Sequence, residues 1–163
     1  MNVKPSAVHI AMISSLAIVL VLSFWPIATE WRYYRPDWLS LWLIFWALYY
    51  PNKLGIWLAC LIGLLADLTT GSLLGSYALS SAMVVYASRR LGRNFMLMNI
   101  VEQTILVIFL VFLSLAVRLF LWWSFDVIAM TQAVHYIVVF FASLCVWPLF
   151  LDGLVRWQNR YLR

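Results

Sequence analysis

Along the chain, apolar residues fall in long runs broken by short polar punctuation, rather than at every third or fourth position. The runs cover about 7–26, 36–50, 54–70, 72–88, 99–123 and 133–151. Between them stand Thr29-Glu30-Trp31-Arg32-Tyr33-Tyr34-Arg35, then Pro51-Asn52-Lys53, Thr70-Gly71-Ser72 and Arg89-Arg90-Leu91-Gly92-Arg93-Asn94. A helix apolar on every side suits a bilayer, where a span takes about 20 such residues. The pattern predicts an all-α membrane protein, a bundle of six transmembrane helices forming one domain over residues 1–163, with almost nothing outside the membrane.

The first run follows Lys4 and so has the flank of a secretory signal. Its length exceeds the roughly 7–15 residues of a signal's apolar region, and Pro26-Ile27-Ala28 puts proline where cleavage needs a small residue. It is expected to stay as an uncleaved span. Pro36-Asp37 carries helix-start chemistry for the second helix. That helix spans only about 22 Å at 1.5 Å per residue, short of a hydrocarbon core of about 30 Å. A re-entrant hairpin over the second and third runs is the alternative. It would strand Lys53 and non-helical backbone at mid-membrane, so two short spans in a thinned bilayer are favoured.

Composition agrees with the pattern: 66% of the 163 residues are hydrophobic and 10% charged. Soluble domains average roughly 45–50% and 25%, so too little polar surface remains to coat a water-soluble globule. The net charge of +5 sits at the ends of apolar runs, where it reads as a topology signal rather than a nucleic-acid surface. With the amino terminus cytoplasmic, Lys4, Lys53, Arg89, Arg90, Arg93, Arg156, Arg160 and Arg163 lie inside, and only Arg32 and Arg35 outside. That asymmetry puts both termini in the cytoplasm. Trp25, Trp31, Tyr33, Tyr34 and Trp38, with Trp122, Trp123 and Tyr136, fit an aromatic belt at the outer face.

In the third helix Gly55, Ala59, Gly63 and Asp67 recur every fourth residue and share one face, and Gly71 and Gly75 continue the spacing. Small residues so placed let another backbone approach closely. Three uses stand: packing within the bundle, a seam for a partner helix or a second copy of the chain, and a ligand pathway. Trp38, Trp42 and Trp46 form an aromatic stripe on the second helix, either facing lipid, packed, or anchoring a partner. Asp67 and Arg118 fall at similar depth near the outer ends of their helices, so an intramembrane ion pair between them is expected, with separate snorkelling to the interface as the alternative. Glu102, three residues after Asn99, and Asp152, four before Arg156, serve helix ends. Cys60 and Cys145 read as packed thiols. His9 and His135 fall at opposite faces, and no metal cluster, cofactor motif, phosphate loop or nucleophile elbow stands in the sequence; no cofactor and no enzyme activity are expected.

Taken in order, Arg35-Pro36-Asp37-Trp38, Pro51, the stretch from Gly63 through Asp67 and Gly71 to Gly75, and Trp147-Pro148 form a recognisable series. The whole chain resembles the rod shape-determining MreD family, most specifically in the Gly-x-x-x-Asp-x-x-x-Gly-x-x-x-Gly stretch. The resemblance implies a multi-pass protein of the bacterial inner membrane, a scaffold of the cell-wall elongation complex that helps maintain rod shape. It implies MreC as direct partner through a membrane helix, with MreB, RodA and its transpeptidase as further members. It also implies a fold like the six-helix substrate-binding subunits of energy-coupling-factor transporters. The alternative is a vitamin-binding or small-solute transport subunit, with Asp67, Arg118, Ser76, Ser80 and Ser81 lining an outward pocket.

Overall fold

The computed structural model describes residues 5–24, 36–125 and 130–162, and the side chains of 8–23, 36–95, 97–125 and 137–156. The expectations for Lys4, Arg163 and the first outer loop, with its Trp25, Trp31, Arg32, Tyr33, Tyr34 and Arg35, lie outside those residues, as do the side chains of His135, Tyr136 and Arg160.

Among the described residues every regular element is helical: α1 (Pro5–Phe24), α2 (Trp38–Tyr49), α3 (Ile56–Thr70), α4 (Ser76–Leu91), a 3₁₀ segment (Gly92–Leu97), α5 (Ile100–Ser124) and α6 (Met130–Leu162). Two stretches are long and apolar enough to cross a membrane, α5 and Ile137–Arg156 of α6. Helix α3 packs on α4, α4 on α2 and α5, and α1 and α6 close the bundle around α2.

The short α2 is the core. Every residue from Leu39 to Leu48 is buried, because α1, α4, α5 and α6 surround it. Trp42 and Trp46 are 0% and 1% exposed. The aromatic ladder therefore packs inside the chain, and neither lipid nor a partner reaches those two rings. Trp42 donates its indole N–H to Ser15 Oγ of α1 at 2.9 Å, which satisfies a buried donor in an apolar setting. Twelve residues suffice for a helix enclosed by protein, since its non-helical ends need not meet lipid.

The small-residue face of α3 is also consumed internally. A Cβ at Gly63 would lie 2.5 Å from Tyr77 O and 2.7 Å from Ala78 Cα of α4, closer than side-chain carbons come to backbone. Ser81 Oγ of α4 donates across this seam to Ala59 O at 2.8 Å. Gly55 has open space around it. Gly71 and Gly75 are not helical at all. They hold φ of +62° and +96°, the left-handed region that suits glycine, and form the turn between α3 and α4. Helix α4 consequently starts at Ser76 instead of Ser72, and runs on through Arg89 and Arg90 to Leu91.

Gly63→Leu is expected to lower stability by about 1–3 kcal/mol, because α3 and α4 must part to admit the side chain. Gly55→Ser, in open space and with a side chain suited to a helix start, stays within about 0.5 kcal/mol. Unfolding midpoints of the two variants in mild detergent check the contrast.

Side chains left on the outside are apolar on five of the six helices: Ile13 and Val21 of α1, Leu61 of α3, Leu79 of α4, Phe112 of α5 and Phe141 of α6. Such a surface suits lipid and not water. Cys145 belongs to that outer surface rather than to the packed interior expected for it, and Cys60 is half-buried. Glu102 accepts from the Asn99 backbone N–H at the start of α5, and Asp152 pairs with Arg156 on the exposed end of α6, both serving helix ends.

Candidate functional site

Two buried carboxylates organise one end of the bundle, where α2 and α4 begin and α3 ends. Asp37 is the N-cap of α2: its Oδ1 accepts from Ser40 N at 3.2 Å, and Pro36 stands just outside the helix. Its Oδ2 takes the Ser40 hydroxyl at 2.6 Å and also the Arg118 guanidinium of α5. Ser40 has spent its single hydrogen on Asp37, so the 2.8 Å link between Ser40 and Ser114 is donated by Ser114. Arg118 Nη2 in turn donates to Ser114 Oγ at 3.1 Å. The result is a directed chain, from guanidinium through two hydroxyls to carboxylate, closed by the direct ion pair.

The same cluster reaches α4 and α6. Arg118 Cζ sits 4.4 Å from the centre of the Tyr77 ring, a cation–π contact that helps hold a charge away from water. Ser143 of α6 accepts the Asp37 backbone N–H at 3.0 Å. Arg118 is 4% exposed, Asp37 8%, and Ser114 and Ser143 are fully buried. Four helices are thus tied by polar bonds at a depth where unpaired groups would be expensive.

Asp67, 1% exposed, does different work. Its Oδ1 accepts from Ser72 Oγ, Ser76 Oγ and Tyr77 N at 2.8, 2.9 and 2.9 Å. Its Oδ2 accepts from Gly75 N and Ala78 N at 3.0 and 3.2 Å. A carboxylate at the end of α3 therefore caps the start of α4, where the helix dipole also favours negative charge. The ion pair expected between Asp67 and Arg118 is replaced: the guanidinium pairs with Asp37, and Asp67 accepts five hydrogen bonds from hydroxyl and backbone donors. Tyr77 joins the two centres, its backbone on Asp67 and its ring under Arg118.

Of the residues singled out in the sequence, Ala59, Gly63 and Asp67 meet on the α3–α4 seam. Trp42 and Trp46 sit in the core, while Gly55, Gly71 and Gly75 serve a helix start and a turn. Asp37 was legible as a helix-start acid, but not as the partner of Arg118. Ser40, Ser114 and Ser143 were missed; the only signal for them is a serine set three residues after a helix-start Asp, and two more inside apolar helices. Among the described residues no three His, Cys, Asp or Glu side chains come together as metal ligands.

Residues 5–156 match the sequence profile of the rod shape-determining protein MreD. The chain belongs to the MreD family. Over 101 residues it is 35% identical to the rod shape-determining protein MreD of Haemophilus influenzae, a stretch that covers 60% of this chain and 59% of that relative. No solved structure matches. MreD proteins are membrane proteins of the rod-shape system, structural rather than members of a known enzyme family. The Asp37–Arg118 and Asp67 centres are thus read in an MreD chain as groups that fix helices against one another, with no substrate-facing surface among their described bonds.

Proposed function

We propose that this chain is an inner-membrane scaffold of the cell-wall elongation complex, and that it holds the transmembrane helix of MreC by packing within the bilayer. The MreD family match over residues 5–156 carries the reading. Support for the mode of binding comes from what the bundle leaves free. Asp37, Asp67 and Arg118 are bonded to groups inside the chain, so recognition of a partner inside the membrane falls mainly to shape and apolar contact.

Since α2 and the small-residue face of α3 are both covered, the docking face moves to the outward side of α3. Among the described residues α3 packs extensively on α4 alone, which makes it an edge helix. Trp57, Leu61, Leu64 and Leu68 stand exposed along it at spacings of four, three and four, the seam geometry of a helix pair. On this reading the basic residues keep both termini cytoplasmic, and the Asp37–Arg118 centre lies in the outer half of the membrane. MreB, RodA and its transpeptidase are then reached through the assembled complex.

The acid and serines that a solute carrier would use are already bonded within the chain. Asp67 is saturated, Ser76 is spent on it, and Ser80 and Ser81 bond to Tyr77 O and Ala59 O. Single cysteines at Leu61 and Leu68 are expected to crosslink to the MreC helix in membranes, and one at Trp42 is expected to stay silent. Crosslinks confined to α1 or α6 positions would discard the α3 face. Failure of MreC to copurify at all would discard the partner.

A further inference from the structure

The end of the bundle opposite the two carboxylates is built around the 3₁₀ segment, and it is clamped from several sides. Gly92 packs against the Leu48 side chain of α2, which would have to shift to admit a Cβ there. Phe95, 2% exposed, is buried edge-on against the Tyr49 ring at 5.5 Å. The Gln103 side-chain amide of α5 donates to Phe95 O and Met98 O at 3.0 and 3.1 Å. A connector held this firmly presents its remaining side chains in a fixed arrangement.

Those side chains are basic and apolar together. Arg89 and Arg90 occupy the last turn of α4, and Arg93 follows one residue after Gly92. Lys53, whose backbone N–H bonds to Tyr50 O at 2.9 Å, stands at the same end of α2. Among the described residues none of these four makes an ion pair: the two carboxylate–arginine pairs present involve Arg118 and Arg156. Leu97, at the end of the same 3₁₀ segment, and Ile100, at the start of α5, are 85% and 82% exposed. Cations that meet no acid among the described residues, followed within a few positions by bare aliphatic side chains on the same held connector and the start of α5, match the two halves of a phospholipid at the headgroup boundary.

We propose that Arg89, Arg90 and Arg93, with Leu97 and Ile100, form a binding site for the phosphate headgroup and upper acyl chain of an anionic phospholipid. The apolar flank favours lipid over an acidic soluble protein, which would not require Leu97 and Ile100 beside the arginines. Each basic group near an anionic bilayer surface is worth about a fivefold factor in binding, so losing three lowers affinity for anionic lipid about a hundredfold.

The test uses the full chain in a neutral detergent, titrated with phosphatidylglycerol or, separately, phosphatidylcholine. Unfolding midpoint and native mass spectrometry serve as readouts. Phosphatidylglycerol is expected to raise the midpoint and remain bound, with phosphatidylcholine inert and 0.5 M salt weakening the effect. Arg89→Ser/Arg90→Ser/Arg93→Ser is expected to lose both signals, whereas Arg89→Lys/Arg90→Lys/Arg93→Lys keeps most of them. Should the triple serine variant fold poorly, Arg93→Gln, at an exposed position, is expected to weaken retention about fivefold on its own. Undiminished lipid retention in either neutralised variant overturns the site. Inorganic phosphate shifting the midpoint as strongly as the lipid overturns the lipid as its source. A soluble acidic polypeptide that binds while phosphatidylglycerol does not would assign the arginines to a protein partner instead.

Discussion

Arg118→Leu is expected to destabilise the folded chain by about 3–5 kcal/mol, because it leaves the Asp37 carboxylate buried with only the two Ser40 donors. Asp37→Leu is expected to cost a similar amount from the other side. It strands a guanidinium that is 4% exposed and removes the cap of α2. The double variant Asp37→Asn/Arg118→Met behaves differently. Asparagine still caps a helix, methionine fills the space without charge, and a buried ion pair replaced as a unit is often near neutral. Stability should return to within about 1–2 kcal/mol of the parent, well above either single variant, and Asp37→Asn and Arg118→Met made singly close the cycle that measures the coupling. Unfolding midpoints in mild detergent measure each of these forms. An Arg118→Leu protein that melts like the parent would show that the pair contributes nothing. A cell-shape complementation assay adds a second axis: a double variant that is stable yet fails to support rods would give the pair a role beyond holding helices together.

The sequence revealed the helices and not their neighbours, for a physical reason. Lipid and protein interior are equally apolar, so a run such as Leu39–Leu48 reads the same whether it faces acyl chains or other helices. The core position of α2 was invisible on that account, although its ends were bracketed by Pro36-Asp37 and Pro51. Arg118 shows a related limit. Counting residues along a helix gives depth in the membrane, which is one coordinate of three, and both Asp37 and Asp67 lie at the matching depth. Depth alone chose the wrong acid. The face bearing Ala59, Gly63 and Asp67 was legible because helical periodicity fixes which residues share a side. Extending that period to Gly71 and Gly75 failed, since positive φ is a property of the turn and leaves no trace in spacing. Thr70-Gly71-Ser72 did mark the stop of α3, through ordinary turn chemistry.

The decisive experiment on the second carboxylate is its removal. Asp67→Ala is expected to lower stability by about 3–5 kcal/mol, because three backbone N–H groups and two hydroxyls lose their acceptor together, and buried unsatisfied donors cost about 1–3 kcal/mol each before any relaxation. Asp67→Asn recovers only part of this: one oxygen remains, but the amide nitrogen must face either the Gly75 and Ala78 N–H groups or the Tyr77 N–H with the two serine hydroxyls. The local signature is specific. Amide exchange at Gly75, Tyr77 and Ala78 should accelerate in Asp67→Ala while the amides of α2 stay protected, since α2 has its own cap in Asp37. Exchanging the charges, Asp67→Arg with Arg118→Asp, is expected to rescue neither single variant. It would aim a cation at the positive end of the α4 dipole and set a second carboxylate beside Asp37. Rescue by that exchange would mean that Asp67 and Arg118 pair directly after all. Continued protection of the three amides without Asp67 would mean that something other than this carboxylate holds the start of α4.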